Sequence, residues 1–286
     1  MTVDLSPITR ANGGFAMLAI DQRESMRAMF AEHQDHPVTD KQLVDFKVAA
    51  LKALTPFASA CLLDREFSWD AALAEKAVAS GCGLIAAADR FIADANELVA
   101  DIEIDPEVVP AKVKADGAAA MKLLITWRPD QDPNGRIDMV EKFIAVCRSA
   151  DLISIIEPVS RRARDGRETD LHLGILDAAR ELGNLGADVY KAEVPMHAKG
   201  SETEVRAQCA EMSRIIQSPW VVLSSGVDPD RFPTAVEWAC KEGARGFLAG
   251  RAVWKNTIGK PDPMAALADD AKRRLERLCN VVDQII

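Results

Sequence analysis

The chain has 286 residues, of which 48% are hydrophobic and 28% charged, so it can bury a large core beneath an ordinary polar surface. Its formal net charge of -9 argues against a nucleic-acid backbone or an anionic membrane as the main partner. The sequence opens without a basic and apolar leader, and no apolar run approaches the roughly 18 residues of a membrane-spanning helix. We therefore expect a cytoplasmic protein.

Eight short apolar segments recur along the chain, each too short for a buried helix. In chain order, the predicted strands are Gly14–Asp21, Ser59–Asp64, Gly83–Asp89, Met121–Trp127, Leu152–Pro158, Ala187–Glu193, Trp220–Gly226 and Gly246–Arg251. Amphipathic segments with helical periodicity lie among them, at Lys41–Leu54, Ile137–Ala150, Leu171–Leu182, Glu204–Gln217, Arg231–Glu242 and about Pro263–Ile286.

This alternation predicts a parallel sheet covered by helices, and eight strands in a chain of this length favour a single (β/α)8 TIM barrel. An open doubly wound sheet is the alternative, but its glycine fingerprint is missing after the first strand. Neither a low-complexity linker nor a repeat of fixed period interrupts the sequence, so we expect residues 1–286 to form one domain. The six cysteines are widely spaced, which predicts free thiols in a reducing compartment.

Arginines cluster where the predicted strands end, which is the active-site end of such a barrel. Five of the eight strands end on an arginine or are followed closely by one: Arg23, Arg65, Arg90, Arg128 and Arg251. A mouth of this kind suits anionic substrates. The alternative is that acids at the same ends, such as Asp21, Asp64 and Asp89, pair with these arginines locally.

The last two strands end in sequences typical of a phosphate site. The seventh is followed by Ser225 and Gly226, and the eighth by Gly250 and Arg251. Glycine lets the backbone approach an oxyanion, serine donates a hydroxyl hydrogen, and arginine offers two donors to two oxygens. Since barrels often hold a phosphate between these two loops, the four residues are predicted to bind one.

Three consecutive strands carry Lys122, Glu157 and Lys191 within apolar surroundings. An amine removed from water, or placed near a second ammonium, has a lowered pKa, and a neutral amine can form a Schiff base with a carbonyl. We predict Lys191 as that nucleophile and Glu157 as the group that moves protons. The alternative is a buried charge network with a purely structural role, although buried ion triads are poor stabilisers of folds.

The histidines show no spacing typical of a metal site, although His197 follows the sixth strand and could line the mouth. We therefore predict an enzyme that uses no metal ion and no cofactor other than its own Schiff-base lysine.

Six segments resemble the class I aldolases of the tagatose-1,6-bisphosphate aldolase group. They are residues 13–23 (GGFAMLAIDQR), 122–128 (KLLITWR), 154–158 (SIIEP), 186–195 (GADVYKAEVP), 223–228 (LSSGVD) and 246–254 (GFLAGRAVW). The resemblance is closest to the sulfofructosephosphate aldolases of sulfoquinovose breakdown and extends from about Ile8 to the C-terminal helix. It implies cleavage of 6-deoxy-6-sulfofructose 1-phosphate to dihydroxyacetone phosphate and 3-sulfolactaldehyde.

The resemblance also implies roles for individual residues. Lys191 matches the Schiff-base lysine, Glu157 the acid/base carboxylate, and Lys122 and Asp21 the polar residues that support the substrate. The four residues of the predicted phosphate site would hold the phosphate of the dihydroxyacetone half. For the sulfonate, the candidates are Gln22, Arg23 and Arg128, followed by Arg65 and the basic loop 161–164.

Several expectations complete this interpretation. The partner is a small ketose phosphate or sulfonate, and the enzyme is expected to be a homo-oligomer, either a dimer or a tetramer. The loop Arg161–Arg167 is either a mobile lid or a solvated turn. Two other functions remain open: a tagatose- or fructose-1,6-bisphosphate aldolase with the same lysine, and a non-catalytic barrel that senses sugar phosphates. A sensor would have no need of Lys122, Glu157 and Lys191 together.

Overall fold

A computed structural model describes residues 3–286. Eight parallel strands close into a barrel in the order β1-β10-β9-β8-β7-β6-β3-β2, and two further strands form a separate antiparallel hairpin. The strands are β1 (Phe15–Ala19), β2 (Ala60–Leu63), β3 (Gly83–Ala87), β4 (Asp89–Ile92), β5 (Asp101–Ile104), β6 (Ala118–Trp127), β7 (Ile153–Ser160), β8 (Val189–Glu193), β9 (Trp220–Leu223) and β10 (Gly246–Ala249). The predicted TIM barrel is confirmed, and the open sheet is excluded because β10 pairs with β1.

Helices lie between the strands. The α-helices are α1 (Glu24–Ala31), α2 (Asp40–Leu54), α3 (Asp70–Ala74), α4 (Pro110–Ala115), α5 (Pro133–Ser149), α6 (Leu171–Leu182), α7 (Glu202–Ile215), α8 (Phe232–Lys241), α9 (Arg251–Trp254), α10 (Pro263–Ala266) and α11 (Lys272–Ile285). Side chains cap several of them, as in the reciprocal capping box of Ser201 and Glu204 at α7. Within residues 3–286, no helix is long and apolar enough to cross a membrane.

The predicted boundaries need two corrections. The segment Gly83–Asp89 is not one strand: β3 ends at Ala87, and Asp89 begins the β4–β5 hairpin, which with the short α4 connects β3 to β6. The last helix is also not uniform, because a π-helical segment at Leu267–Ala271 separates α10 from α11. Elsewhere the strands differ from prediction only at their ends: β6 begins earlier, at Ala118, β7 continues to Ser160, β8 begins later, at Val189, and β1, β2, β9 and β10 end before the polar residues that were included in them.

The barrel interior has its own apolar core, because alternate residues of each strand point inward. In six strands, the inward-facing position two residues beyond the last apolar core residue carries a charged side chain. These six residues are Asp21 after β1, Asp64 after β2, Asp89 after β3, Lys122 in β6, Glu157 in β7 and Lys191 in β8. Strand periodicity therefore gathers six charges at one end of the barrel, directly above an apolar floor.

Candidate active site

Lys122 occupies the centre of the charged cluster. Its Nζ lies 2.8 Å from Asp21 Oδ2, 2.8 Å from Asp89 Oδ2 and 3.1 Å from Glu157 Oε2. Burial on its own would lower the pKa of Lys122, but the three carboxylates outweigh burial and hold that pKa well above its ordinary value. The three carboxylates therefore favour the charged form of Lys122.

Asp21 shows the complementary effect. Burial would raise the pKa of its carboxyl, but Lys122 and, more weakly, Lys191 hold that pKa far below its ordinary value. Gln22, the next residue, donates from Nε2 to Asp21 Oδ1 at 3.2 Å. Gln22 thus lies beside the cluster, and its buried Oε1 has no hydrogen-bond donor within residues 3–286.

Lys191 and Glu157 form the second part of the cluster. Lys191 Nζ lies 2.9 Å from Glu157 Oε1, and both side chains are buried. The other oxygen, Glu157 Oε2, faces Lys122 but receives no well-aligned hydrogen bond within residues 3–286. Glu157 therefore lies between two amines and retains an oxygen able to accept a proton. The structure brings Lys122, Glu157 and Lys191 together as their strand order predicted.

Asp89 is a member of the cluster that the sequence did not single out as a site residue. Its Oδ2 accepts hydrogen bonds from Lys122 Nζ and from the backbone N–H of Leu124, at 2.8 and 3.0 Å. Its Oδ1 lies 3.2 Å from Arg23 Nη2. A signal was available: Asp89 continues the inward-facing series of β3, and residues two apart on a strand share a face.

Arg23 is held beside Asp89 with unused donors. It is 4% exposed, its guanidinium carbon lies 4.2 Å from the centre of the Phe91 ring, and its Nε lies 3.6 Å from Glu66 Oε1. Nε and Nη1 are buried and make no hydrogen bond to residues 3–286. Unused buried donors are costly, so they indicate a ligand or ordered water at this position.

The predicted sulfonate residue Arg128 is occupied by other protein groups. It is 1% exposed, ion-pairs with Glu97, and donates to the backbone carbonyls of Arg162 and Ala100. Arg128 thereby joins the loop after β7 to the loop of the β4–β5 hairpin. Only its Nε lacks a partner within residues 3–286.

The loop Arg161–Arg167 is exposed for most of its length but anchored. Arg164 Nη2 donates to Ala100 O at 2.7 Å, and the carboxylate of Asp130 accepts the backbone N–H groups of Arg164 and Asp165. These contacts give the loop a defined position against the hairpin.

The predicted phosphate residues occupy two neighbouring loops. β9 and β10 pair side by side, and Ser224 Oγ accepts the N–H of Ala252 at 3.4 Å, which links the two loops. Gly226 has φ +75°, and a Cβ on Gly250 would lie 2.4 Å from Ala19 O. Both positions therefore require glycine.

Arg251 is the cation of these loops. Burial lowers its pKa, and Glu157 and Asp21 act in the opposite direction. No acidic side chain in the described part of the chain forms an ion pair with it. Arg161 also acts on the pKa of Arg251, as a like charge, and it too has no acidic partner within residues 3–286.

Two further buried groups extend the cluster. Lys47 of α2 ion-pairs with Asp64, and both side chains are 0% exposed. Glu193, two residues beyond Lys191, accepts the N–H of Ser160 at 2.7 Å. Within residues 3–286, no three His, Cys, Asp or Glu side chains are arranged to hold a metal ion.

A closed (β/α)8 barrel with two buried lysines and three carboxylates at the carboxyl ends of its strands has the architecture of a barrel enzyme. Residues 15–256 match the DeoC/LacD family of aldolases, and the chain belongs to this family.

Relatives of similar sequence are aldolases by name, and solved structures share the fold. The tagatose 1,6-diphosphate aldolase of Listeria monocytogenes serotype 4a is 28% identical, over 94% of this chain and 85% of that protein. Tagatose 1,6-diphosphate aldolase 2 of Enterococcus faecalis is 30% identical, over 88% and 82%. An archaeal fructose-1,6-bisphosphate aldolase, solved with its catalytic lysine bound to a carbinolamine, has a similar fold, with a TM-score of 0.61 at 15% identity and coverage of 95% and 96%. A Corynebacterium glutamicum protein gives 0.69 at 14% identity, with coverage of 98% and 88%.

Proposed function

We propose that this chain is a Schiff-base aldolase that cleaves a ketose 1-phosphate and uses Lys191 as the nucleophile. The observation that carries the proposal is the 2.9 Å contact between Lys191 Nζ and Glu157 Oε1. The pair lies above an apolar floor and beside Lys122, whose charge is fixed by its three carboxylates. A proton acceptor in contact with a buried amine is what carbinolamine formation requires.

In this mechanism Glu157 takes the proton of Lys191, and the neutral amine attacks the ketone carbon of the substrate. Loss of water gives an iminium ion, and when Glu157 takes the proton of the C4 hydroxyl the bond between C3 and C4 breaks and its electrons pass to the iminium. The aldehyde half leaves first. Protonation of the enamine and hydrolysis of the Schiff base then release dihydroxyacetone phosphate. Glu157 would move protons in these steps, while Lys122 and Asp21 would orient the substrate oxygens.

The phosphate of the dihydroxyacetone half is assigned to Ser225, Gly226, Gly250 and Arg251. Support comes from the guanidinium of Arg251, which forms no ion pair within residues 3–286, and from the two glycines, which leave the backbone open to an oxyanion.

For the far end of the substrate we propose a sulfonate, as in 6-deoxy-6-sulfofructose 1-phosphate. Three of the arginines predicted for that end have an acidic partner: Arg23 with Asp89, Arg65 with Asp105, and Arg128 with Glu97. These three arginines therefore leave little uncompensated positive charge for a phosphate, which carries nearly two charges. A sulfonate carries one, and the unused donors Nε and Nη1 of Arg23 suit it. The 1,6-bisphosphate alternative draws support from the names of the relatives.

Borohydride trapping tests the nucleophile. Reduction in the presence of dihydroxyacetone phosphate should leave a covalent adduct on Lys191, located by peptide mass mapping, and Lys191→Met should abolish it. Lys199→Met is the matched control and should keep full labelling. An adduct on another residue, or no adduct, would refute the mechanism, and the absence of any adduct would favour a sugar-phosphate sensor.

We also propose that no metal is needed. Activity should survive EDTA, and a loss of activity that Zn²⁺ restores would contradict this.

The substrate is tested by comparing kcat/KM for 6-deoxy-6-sulfofructose 1-phosphate with that for tagatose and fructose 1,6-bisphosphates. The proposal requires the sulfonate to be preferred. Equal or better turnover of either bisphosphate would assign the chain to the substrate class of its named relatives and leave the role of Lys191 intact.

A further inference from the structure

Three successive residues after β8 adopt left-handed backbone conformations. Met196, His197 and Ala198 have φ of 56°, 46° and 56°. None of them is glycine or asparagine, the residues that tolerate this region best. Strain of this kind persists only where the surrounding structure imposes it, and it is found most often at functional sites. The turn begins at Pro195, two residues after Glu193 and four after Lys191.

The turn aims the His197 side chain at the barrel mouth. His197 Nε2 lies 3.3 Å from Glu193 Oε1, and the side chain of His197 is 12% exposed. Glu193 is itself fixed, because its other oxygen accepts the backbone N–H of Ser160 at 2.7 Å. The His172 ring packs edge-on against the His197 ring, with centroids 5.1 Å apart. Contacts with two other elements thus hold the imidazole.

The imidazole also lies against the proposed phosphate loop. A Cβ built on Gly226 would lie 2.7 Å from His197 Cδ2, 2.9 Å from Cγ and 3.0 Å from Nε2. The ring therefore occupies the space that a side chain at Gly226 would need. It lies against the loop backbone at the residue whose φ of +75° shapes the turn.

We propose that His197 is a positioning residue for the phosphate loop: its imidazole, held by Glu193, sets the backbone of Ser225 and Gly226 for the phosphate of the substrate. This inference rests on the proposed phosphate site. His197 makes no contact with Lys191 or Glu157 among the polar contacts of residues 3–286. Its effect should therefore appear in the affinity for the phosphate and not in Schiff-base chemistry.

A double-mutant cycle tests the inference. The probes are dihydroxyacetone phosphate and the phosphate-free dihydroxyacetone, each used to measure half-saturation of borohydride labelling. His197→Ala should raise half-saturation by dihydroxyacetone phosphate about tenfold, the loss expected of a well-packed contact. Labelling by dihydroxyacetone should change less than about twofold, which also shows that the variant is folded.

Gly226→Ala supplies the other side of the cycle. In the wild-type background its Cβ meets the imidazole, so affinity for dihydroxyacetone phosphate should fall strongly. In the His197→Ala background that collision is absent and only backbone strain remains. The double variant should therefore bind dihydroxyacetone phosphate at least about threefold more tightly than the product of the two single losses predicts. If the affinity loss of the double variant equals the product of the two single losses, the inference is wrong. It is also wrong if His197→Ala weakens labelling by dihydroxyacetone and by dihydroxyacetone phosphate to the same extent.

The wild type separates this inference from the function on which it rests. If wild-type labelling saturates at similar concentrations of both ketones, the proposed phosphate site is wrong, and the role of His197 falls with it. If the wild type prefers dihydroxyacetone phosphate and His197→Ala does so equally, only the role of His197 is refuted. His36→Ala, in an exposed loop, is the control substitution and should match the wild type.

Discussion

Replacement of Lys122 by methionine should destabilise the fold strongly and in a pH-dependent manner. The cluster balances three cations, Lys122, Lys191 and Arg23, against Asp21, Asp89 and Glu157. Methionine fills similar space, so the loss is mainly electrostatic. Removal of one partner from a buried ion pair costs about 3–5 kcal/mol, and here it leaves an uncompensated negative charge. We expect a loss in that range at pH 7.5.

The sign of the pH dependence follows from Asp21. Lys122 is the main cause of the depressed pKa of Asp21 in the folded protein. Stabilisation from such a carboxylate is present above its unfolded pKa of about 3.9 and disappears as the pH falls through the folded value. Without Lys122 that stabilisation is lost at both pH values, and burial acts to raise the pKa of Asp21 above its unfolded value, which adds a cost that grows from about pH 3.9 toward neutral pH. The deficit of Lys122→Met should therefore be largest at neutral pH and shrink toward pH 4.

Urea unfolding at pH 4.5 and 7.5 measures both effects. Lys41→Met is the control, because the pair of Lys41 with Asp45 is exposed and should contribute less than about 0.5 kcal/mol. A Lys122→Met deficit as small as that of the control would show that the three carboxylates do not depend on Lys122. A large deficit of equal size at both pH values would show that the pKa of Asp21 does not rise above its unfolded value when Lys122 is absent.

Three further predictions concern the surroundings of the site. Lys76 is an exposed residue with φ 49° after α3, so Lys76→Gly should raise the free energy of unfolding by about 1 kcal/mol, while Lys76→Ala should not; equal urea midpoints would refute the strain. Arg128→Met should release the loop Arg161–Arg167 and speed tryptic cleavage there; an unchanged rate would mean that other contacts hold the loop. Glu66→Gln removes a partly exposed acid beside Arg23 and should shift kcat/KM toward bisphosphate substrates by up to about fivefold; no shift would place the far anion away from Arg23.

Much of the cluster could be predicted because strand periodicity is simple. Once eight strands are recognised, each inward-facing series can be extended by two residues to Asp21, Lys122, Glu157 and Lys191. The barrel brings these positions together independently of the conformation of the loops. The same extension reaches Asp89, which was missed as a site residue because it was interpreted as a loop acid at the end of a strand.

Features that depend on contacts distant in sequence were not predictable. Arg128 ends a strand like the other mouth arginines, but its partner Glu97 lies on a hairpin that the apolar pattern did not reveal. The left-handed turn at Met196–Ala198 has no signal in residue type, since tertiary contacts impose it. For the same reason His197 could be placed near the mouth but not against Gly226.

The charge balance of the cluster explains how one site can hold two lysines in different roles. Lys122 faces Asp21 and Asp89 as well as Glu157, so it remains charged whatever the state of Glu157. When Glu157 takes the proton of Lys191 in the proposed mechanism, both groups become neutral together. Lys122 and Arg23 then still balance Asp21 and Asp89, and no isolated charge is created inside the barrel. Proton transfer within the pair therefore avoids the large cost of an uncompensated buried charge, which a lone buried lysine could not do.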